Sequence, residues 1–459
     1  MSSLFAMMGA AGSALDVYQQ ALSVVQNNVN NSSTPGYAAQ SLNLEAMPLD
    51  VATGLAGGVT SAGLDNSRDP YAEEQLQQQT QTLGQYTAQA QSTGTIQSFF
   101  DASGNSGVSA ALTALLQSFS AWSVTPDDPT AEQSVLASAS TVASSIQGLA
   151  SSLSQTSQQL DTSIASTASQ INSIATQVQS YNEQRLTETT PDPGEDAQLY
   201  SALDNLSQLT NFSTVTQPDG TVSVILGGGS PLVEGSQQFA VSTTSSPAGA
   251  QILDSQGNDI TSQITSGQLG GLLDSRNRVL GSMLGDSQQT GTLNQFATAL
   301  ASTVNGILES GTVSPGGAAG TALFTVSATP TDAAATLAVN SNVTLAPANG
   351  TGSNGNANDL AALTDTTVAQ LGGMSLTQYF GQITSDIGQE NQTATDNQTS
   401  QQQVVAQATT LINQVSGVSL NEEATNVLQF QSAYQASAQV LTVLNTIADS
   451  VIAMITPMT

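Results

Sequence analysis

The sequence contains no cysteine, no histidine and no lysine, and its four basic residues are Arg68, Arg185, Arg276 and Arg278, against 34 acidic residues and a formal net charge of −30. Each absence excludes something. Without cysteine there are no disulfides and no thiolate metal sites. Without histidine and cysteine the commonest groups for acid–base and nucleophilic catalysis are missing, and a Ser-His-Asp triad is impossible. Without clustered cations the chain cannot release counterions from phosphates, so no nucleic-acid partner is expected. An anionic membrane surface would repel it, and no run of 18 apolar residues offers a span, so membrane insertion is not expected either. Aromatic residues make up only 4 % of the chain.

What remains is long and moderately apolar: 459 residues, 39 % hydrophobic, with only 8 % charged. That is too apolar for a disordered polyanion and long enough for two or three domains. The surface must be coated with Ser, Thr, Gln and Asn, and an acidic external habitat would suit its carboxylates. Residues 1–12 lack the positive start of a secretory signal, so an exported chain of this kind needs another route.

Both ends carry helical apolar seams. Leu4, Met8, Ala11, Leu15, Tyr18, Leu22, Val25 and Val29 alternate steps of three and four, and the pattern stops at Ser32-Ser33-Thr34-Pro35-Gly36. At the other end Val427, Phe430, Tyr434, Ser437, Leu441, Leu444, Ala448, Val451 and Ile455 repeat it, with Val440, Ile447 and Met454 widening the stripe. Ser419 with Glu422 reads as a capping box, with Glu423 placed favourably for the helix dipole. A preceding helix over 405–415 breaks near Gly417. With so few cations to form ion pairs, these helices depend on their stripes, and they are expected to order only when neighbours supply the opposing surface.

Between the ends, Asp69-Pro70 opens a helix expected to reach about Phe100, and a shorter one covers 110–122. The longest pattern runs from Val135 to Tyr181, a helix of about fifty residues with a stutter near Thr167. Residues 214–224 read as a hairpin around Pro218-Asp219-Gly220, with further strands at 231–233, 239–243 and 251–253. Residues 267–309 look helical, 321–346 extended, and 349–358 a Gly/Asn-rich linker.

Little catalytic chemistry is on offer. Asp127 with Asp128 and Glu422 with Glu423 are carboxylate pairs, but adjacent residues in a turn or helix start do not span a glycosidase cleft. Gly227-Gly228-Gly229 lacks the lysine of a phosphate loop and reads as a turn. Asp254-Ser255-Gln256-Gly257-Asn258-Asp259 has oxygen ligands near a glycine but not the spacing of an EF-hand, so a hairpin turn outweighs a weak cation site. No cofactor, metal or catalytic residue is expected, and the chain does not read as an enzyme.

Two segments carry a resemblance. Asn27-Asn28-Val29-Asn30-Asn31-Ser32-Ser33-Thr34-Pro35-Gly36-Tyr37 resembles the N-terminal motif of the bacterial flagellar axial proteins of rod, hook and hook-associated type. The C-terminal residues Ser416-Gly417-Val418-Ser419-Leu420-Asn421-Glu422-Glu423, through Phe430-Gln431, Tyr434-Gln435-Ala436 and Val440-Leu441, resemble its hook-filament junction members. The segments 127–131, 170–172 and 267–273 are similar to the same members, whereas Ala39 stands where the family has a basic residue.

The resemblance implies a mainly α protein with an inserted β-rich domain. Residues 1–46 and 404–459 would form a coiled-coil-like inner layer, residues 47–211 and 267–310 with 359–403 a helical middle domain, and residues 212–266 and 311–358 a β-rich outer region with its linker. It further implies a structural adaptor that leaves the cell by type III export without a cleaved signal. Expected partners are copies of itself, the hook protein, the second junction protein and a cytoplasmic chaperone on the C-terminal segment. The expected assembly residues are Leu15, Tyr18, Leu22, Val25, Val29, Pro35, Gly36, Tyr37, Val427, Phe430, Tyr434, Leu441, Leu444, Val451 and Ile455. Another axial subunit, the second junction protein or a flagellin-like one, is the alternative, followed by a secreted adhesive module.

Overall fold

The computed structural model describes residues 2–455 apart from 51–54, 102, 188–191, 287 and 351. Helix α1 (Ser2–Asn31) is followed by a hairpin of β1 (Gln40–Ala46) and β4 (Val59–Asn66), whose tip carries the short β2 (Leu49–Asp50) and β3 (Leu55–Ala56). Then come α2 (Pro70–Gln97), α3 (Gly107–Val124), α4 (Pro129–Arg185) and α5 (Pro193–Leu209). Of these, α2, α4 and α5 begin in the same way. Asp69, Asp128 and Asp192 each precede a proline, and each carboxylate accepts backbone N–H bonds from the first turn. The proline starts the helix and the aspartate caps it.

Strands β5 (Phe212–Thr216), β6 (Val222–Leu226), β7 (Pro231–Glu234) and β8 (Gln237–Gln238) form an antiparallel sheet in sequence order, and β9 (Ser242–Ser246) pairs with β10 (Gly249–Leu253). Of the strand expected over 239–243, only residues 242 and 243 lie in a strand, the start of β9, and 239–241 connect it to β8. Residues 267–310 form α6 (Gly267–Leu273), a π-helical stretch (Asp274–Leu280), α7 (Gly281–Leu284) and α8 (Thr292–Ser310), not one helix. The break falls at Gly285, whose φ of 84° lies in the left-handed region.

Residues 321–346 are only partly extended, because α9 (Ala333–Thr336) separates β11 (Phe324–Thr325) from β12 (Ala338–Val339). The expected linker at 349–358 instead contains the start of α10 (Gly355–Ala361). There Asn356 is fully buried and donates to Ile307 O at 2.6 Å and Ala346 O at 2.9 Å, tying the segment to the end of α8. Composition marked it as a linker, whereas a buried amide anchors it. Helices α11 (Leu376–Val415) and α12 (Leu420–Ile455) complete the chain. The division expected at 403/404 falls inside the unbroken α11, and the one at 46/47 within the β1–β4 hairpin.

One continuous core runs through the helical and β-rich parts, centred on Trp122, Phe119, Ile146, Leu153, Phe296 and Phe324. Among the described residues, none of α1 or α12 belongs to it. Phe100, Phe296, Tyr379 and Phe380 draw together with ring centroids 5.4 to 6.5 Å apart, so the scarce aromatics are concentrated where α2, α8 and α11 meet. The long α4 buries Thr156 and Thr167, whose hydroxyls bond back to the carbonyls of Ser152 and Ser163.

With only a few ion pairs available, asparagine amides also tie extended segments to helices. Asn182 accepts from Val222 N at 2.8 Å and donates to Val222 O at 2.9 Å, so its side chain acts as a neighbouring strand would. The same two-way bond joins Asn172 to Val241, Asn277 to Ala250, Asn305 to Phe324 and Asn28 to Gln40. Each lets a polar group be buried with its donors and acceptors matched.

Candidate assembly interface

The two chain ends pack on each other. The last turns of α1 meet the first turns of α12 at Asn28 and Glu423, and Met7, Ala10 and Ala11 meet Ser437, Val440 and Leu444 along a groove of about 430 Å³, so the pair is antiparallel. Part of the opposing surface that the seams need is therefore supplied by the chain itself. Val25 and Leu444 are buried, and Leu15, Tyr18, Leu22, Val427, Phe430, Leu441 and Val451 are half-buried. Val29 remains 40 % exposed and Tyr434 37 % exposed. The Ile455 side chain lies outside the described residues.

The face that α1 buries is turned slightly from the expected one and runs through Ala11, Val17, Ala21, Val25 and Asn28. Alanine and asparagine carry little weight in an apolar pattern, so the seam was read through the larger residues beside them. Helix α12 is apolar on a second side as well, where Val443, Ile447 and Met454 are exposed, Met454 by 78 %, while Leu428 and Ile452 are exposed at other angles around the helix. The stretch Leu376–Met454 includes an 18-residue window apolar enough, by composition and length alone, to cross a membrane, and none of that window is buried. The expectation from uninterrupted runs missed this window because scattered Ser, Thr, Asn and Asp interrupt it.

A polar knot closes the root of the pair. Asn28 is 1 % exposed and makes four bonds: Oδ1 accepts from the Tyr37 hydroxyl at 2.9 Å and from Gln40 N at 2.9 Å, and Nδ2 donates to Gln40 O at 2.8 Å and to Glu423 Oε1 at 2.9 Å. Burial, and then the Glu423 charge, push the Tyr37 phenol above its ordinary range. Ser419 Oγ accepts from Glu422 N at 3.4 Å, the capping half of the expected box. Ala39 donates its N–H to Ser416 O and accepts from Ser67 N, joining the loop before β1 to the break before α12.

Arg68 bolts this root to the body. Its guanidinium pairs with Glu73 at 2.5 Å, donates to Gly36 O and lies 3.5 Å over the Tyr200 ring. Gly36 is required at this point, because its φ is +73° and a Cβ would stand 2.3 Å from Ala197 O. Pro35 is exposed, whereas Gly36 and Tyr37 are half-buried, and the loop borders a cleft of about 630 Å³ against α4 and α5. Burial raises the Glu73 carboxyl against the pull of Arg68, and burial with the Glu73 charge pushes Asp204 up to about 7.

The other candidates serve local structure. Asp254 accepts from Gln256 N, Asn258 N and Asn258 Nδ2, bonds that hold its carboxyl below the usual range, and Asp259 accepts from Thr261. Both carboxylates thus shape the hairpin turn. Asp128 caps α4. Among the described residues no group of three or more His, Cys, Asp or Glu is placed to hold a metal ion.

The profile of the flagellar hook-associated protein FlgK helical domain matches residues 93–324. Flagellar hook-associated protein 1 of Salmonella typhimurium is 25 % identical over 288 residues, 59 % of this chain and 51 % of its own length. The protein of the same name from Bacillus subtilis is 25 % identical over 193 residues, 40 % of this chain and 38 % of its own. The chain therefore spans about half or less of these curated relatives. The structure of the flagellar hook junction protein FlgK from Burkholderia pseudomallei superimposes with a TM-score of 0.65 at 17 % identity, over 74 % of this chain and all of that one, and so shares the fold. With the helical-domain match extending over half of its sequence, the chain belongs to the FlgK family of flagellar hook-associated proteins.

Proposed function

We propose that this chain is a structural subunit of the bacterial flagellum that joins hook to filament outside the cell and assembles through its paired terminal helices. The observation that carries the reading is the second apolar side of α12, left open on a helix pair that takes no part in the main core. An exposed stripe of Val443, Ile447 and Met454 on so polar a chain calls for a covering partner. Copies of the same pair are the first partners, with the hook protein and the second junction protein at the two ends of the layer. In the cytoplasm an export chaperone would cover the C-terminal segment, and the chain would leave by type III export without a cleaved signal. The role is mechanical, and the body between α2 and α11, including the β-rich part, faces outward.

The test is a pair of substitutions. Leu441→Asp strikes the half-buried seam, and Ile447→Asp strikes the open side at a residue 45 % exposed. Both are expected to abolish swimming and immunogold labelling at the hook–filament boundary while the circular dichroism of the body stays unchanged. Normal motility with labelled junctions in Ile447→Asp would remove the reading.

A further inference from the structure

The terminal pair can serve assembly only if α1 and α12 meet in one alignment, and their apolar seam does not select one. The side chains that α1 buries are small or short, Ala11, Val17, Ala21 and Val25. On α12 the pattern recurs every seven residues through Val427, Tyr434 and Leu441. Sliding one helix by one repeat would keep apolar residues facing each other. Asn28 and Glu423 are 395 positions apart, and the bonds of Ser416 to Ala39 and Ser67 hold the chain just before α12 near β1 without entering the seam itself.

We propose that Asn28 and Glu423 set the register of the terminal helix pair, as positioning residues of the assembly element described above; the inference rests on that reading for its role in the flagellum. The Asn28 amide has two acceptor sites and two donor hydrogens, and all four are used. Three of those bonds come from the adjoining loop and β1 at Tyr37 and Gln40, so the amide is oriented before α12 docks. One N–H is left over, aimed across the seam at Glu423, which is itself 6 % exposed. A slide of seven residues brings Phe430 to the place of Glu423 and leaves that buried N–H without an acceptor. The opposite slide brings Ser416 there only by breaking the bonds of its carbonyl and hydroxyl to Ala39 and Ser67.

Wrong alignments are thus penalised by a missing bond, as with a single polar residue in a coiled-coil seam. Glu423 Oε2 is buried without a partner, a burden that an apolar residue there would not carry. The arrangement gives up stability for alignment.

The absence of cysteine allows two spin labels to be placed uniquely in the full chain, at the exposed positions Gln20→Cys and Gln431→Cys, with their separation read by double electron–electron resonance. The parent chain is expected to give one narrow distance. Asn28→Leu and Glu423→Leu should each add a second, longer distance, reflecting a slide of about 10 Å for seven residues at 1.5 Å each. Glu423→Gln keeps the acceptor oxygen and should retain the single distance. An unchanged single distance in both leucine variants overturns the proposal, as does a broad distribution in the parent. Loss of helix content in the leucine variants also overturns it, because the pair would then hold the fold and not the alignment. Should Ile447→Asp fail to disturb junctions, the flagellar role falls while these distances stand.

Discussion

At the scale of single residues, the scarcity of cations decides where charge can be buried. Arg68 is spent on Glu73, Gly36 and Tyr200, so Asp204 nearby has no cation of its own and is held up to about 7 by burial and by the Glu73 charge. Its folded value lies above the unfolded one near 4, so the folded state binds that proton more tightly. The stabilisation is complete below about pH 4 and is lost as pH rises through about 7. Urea unfolding of the full chain should therefore show stability falling by about 2–4 kcal/mol between pH 4 and pH 7 from this group, and Asp204→Asn should flatten that part of the profile. A profile identical in the variant would show that the carboxyl is not linked to folding. Asp204 was not legible in the sequence as an unusual carboxylate, because its surroundings come from α2 with Glu73, from Arg68 before it, and from α11.

At the scale of elements, the helices were readable because their signals are local. Aspartate followed by proline marks a capped start, and a 3–4 apolar pattern marks a buried side, so α1, α2, α4 and α12 were visible in outline. The β-rich part was less so, because its strands are short and are held by amides projecting from helices elsewhere in the chain. Asn182 illustrates this, bonding Val222 on β6 and Gly235 O from within α4. Asn182→Ala should leave a buried N–H and two carbonyls unmatched and cost about 2–4 kcal/mol. Hydrogen exchange at the Val222 amide is the direct readout, with protection expected to fall before that of the α4 amides. Equal protection in the variant would mean that strand pairing alone holds β6. The hairpin of β1 and β4 was missed altogether, since its Ser, Asn and Gly content reads as loop and its pairing spans residues 40–66 with an intervening bulge.

At the scale of the whole molecule, the separation of the terminal pair from the core is the main feature. Because the core contains no residue of α1 or α12, removing residues 1–66 and 416–459 should leave a cooperatively folding monomer from α2 to α11. Its thermal transition by circular dichroism should stay sharp; a broad, non-cooperative melt would show that the ends help to hold the body. The net charge of −30 bears on the same division. Helices α1 and α12 contain only Asp16, Glu422, Glu423 and Asp449 as charged side chains, so repulsion between copies is weakest along the pair proposed to meet.

Composition and local pattern by themselves determined that this chain has no thiol or imidazole chemistry, that it is mainly helical, and that its two ends carry apolar seams, because each of these depends on residue identity or on neighbours within a few turns. Only the tertiary structure decided which side of each end is covered and which is left open. The same holds for the meeting of Asn28 with Glu423 and for the turning of Gly36 onto Arg68 and α5 and of Tyr37 onto Asn28. Those facts depend on groups hundreds of residues apart being desolvated together, and a buried amide or carboxylate acquires its role from the partners that burial brings to it.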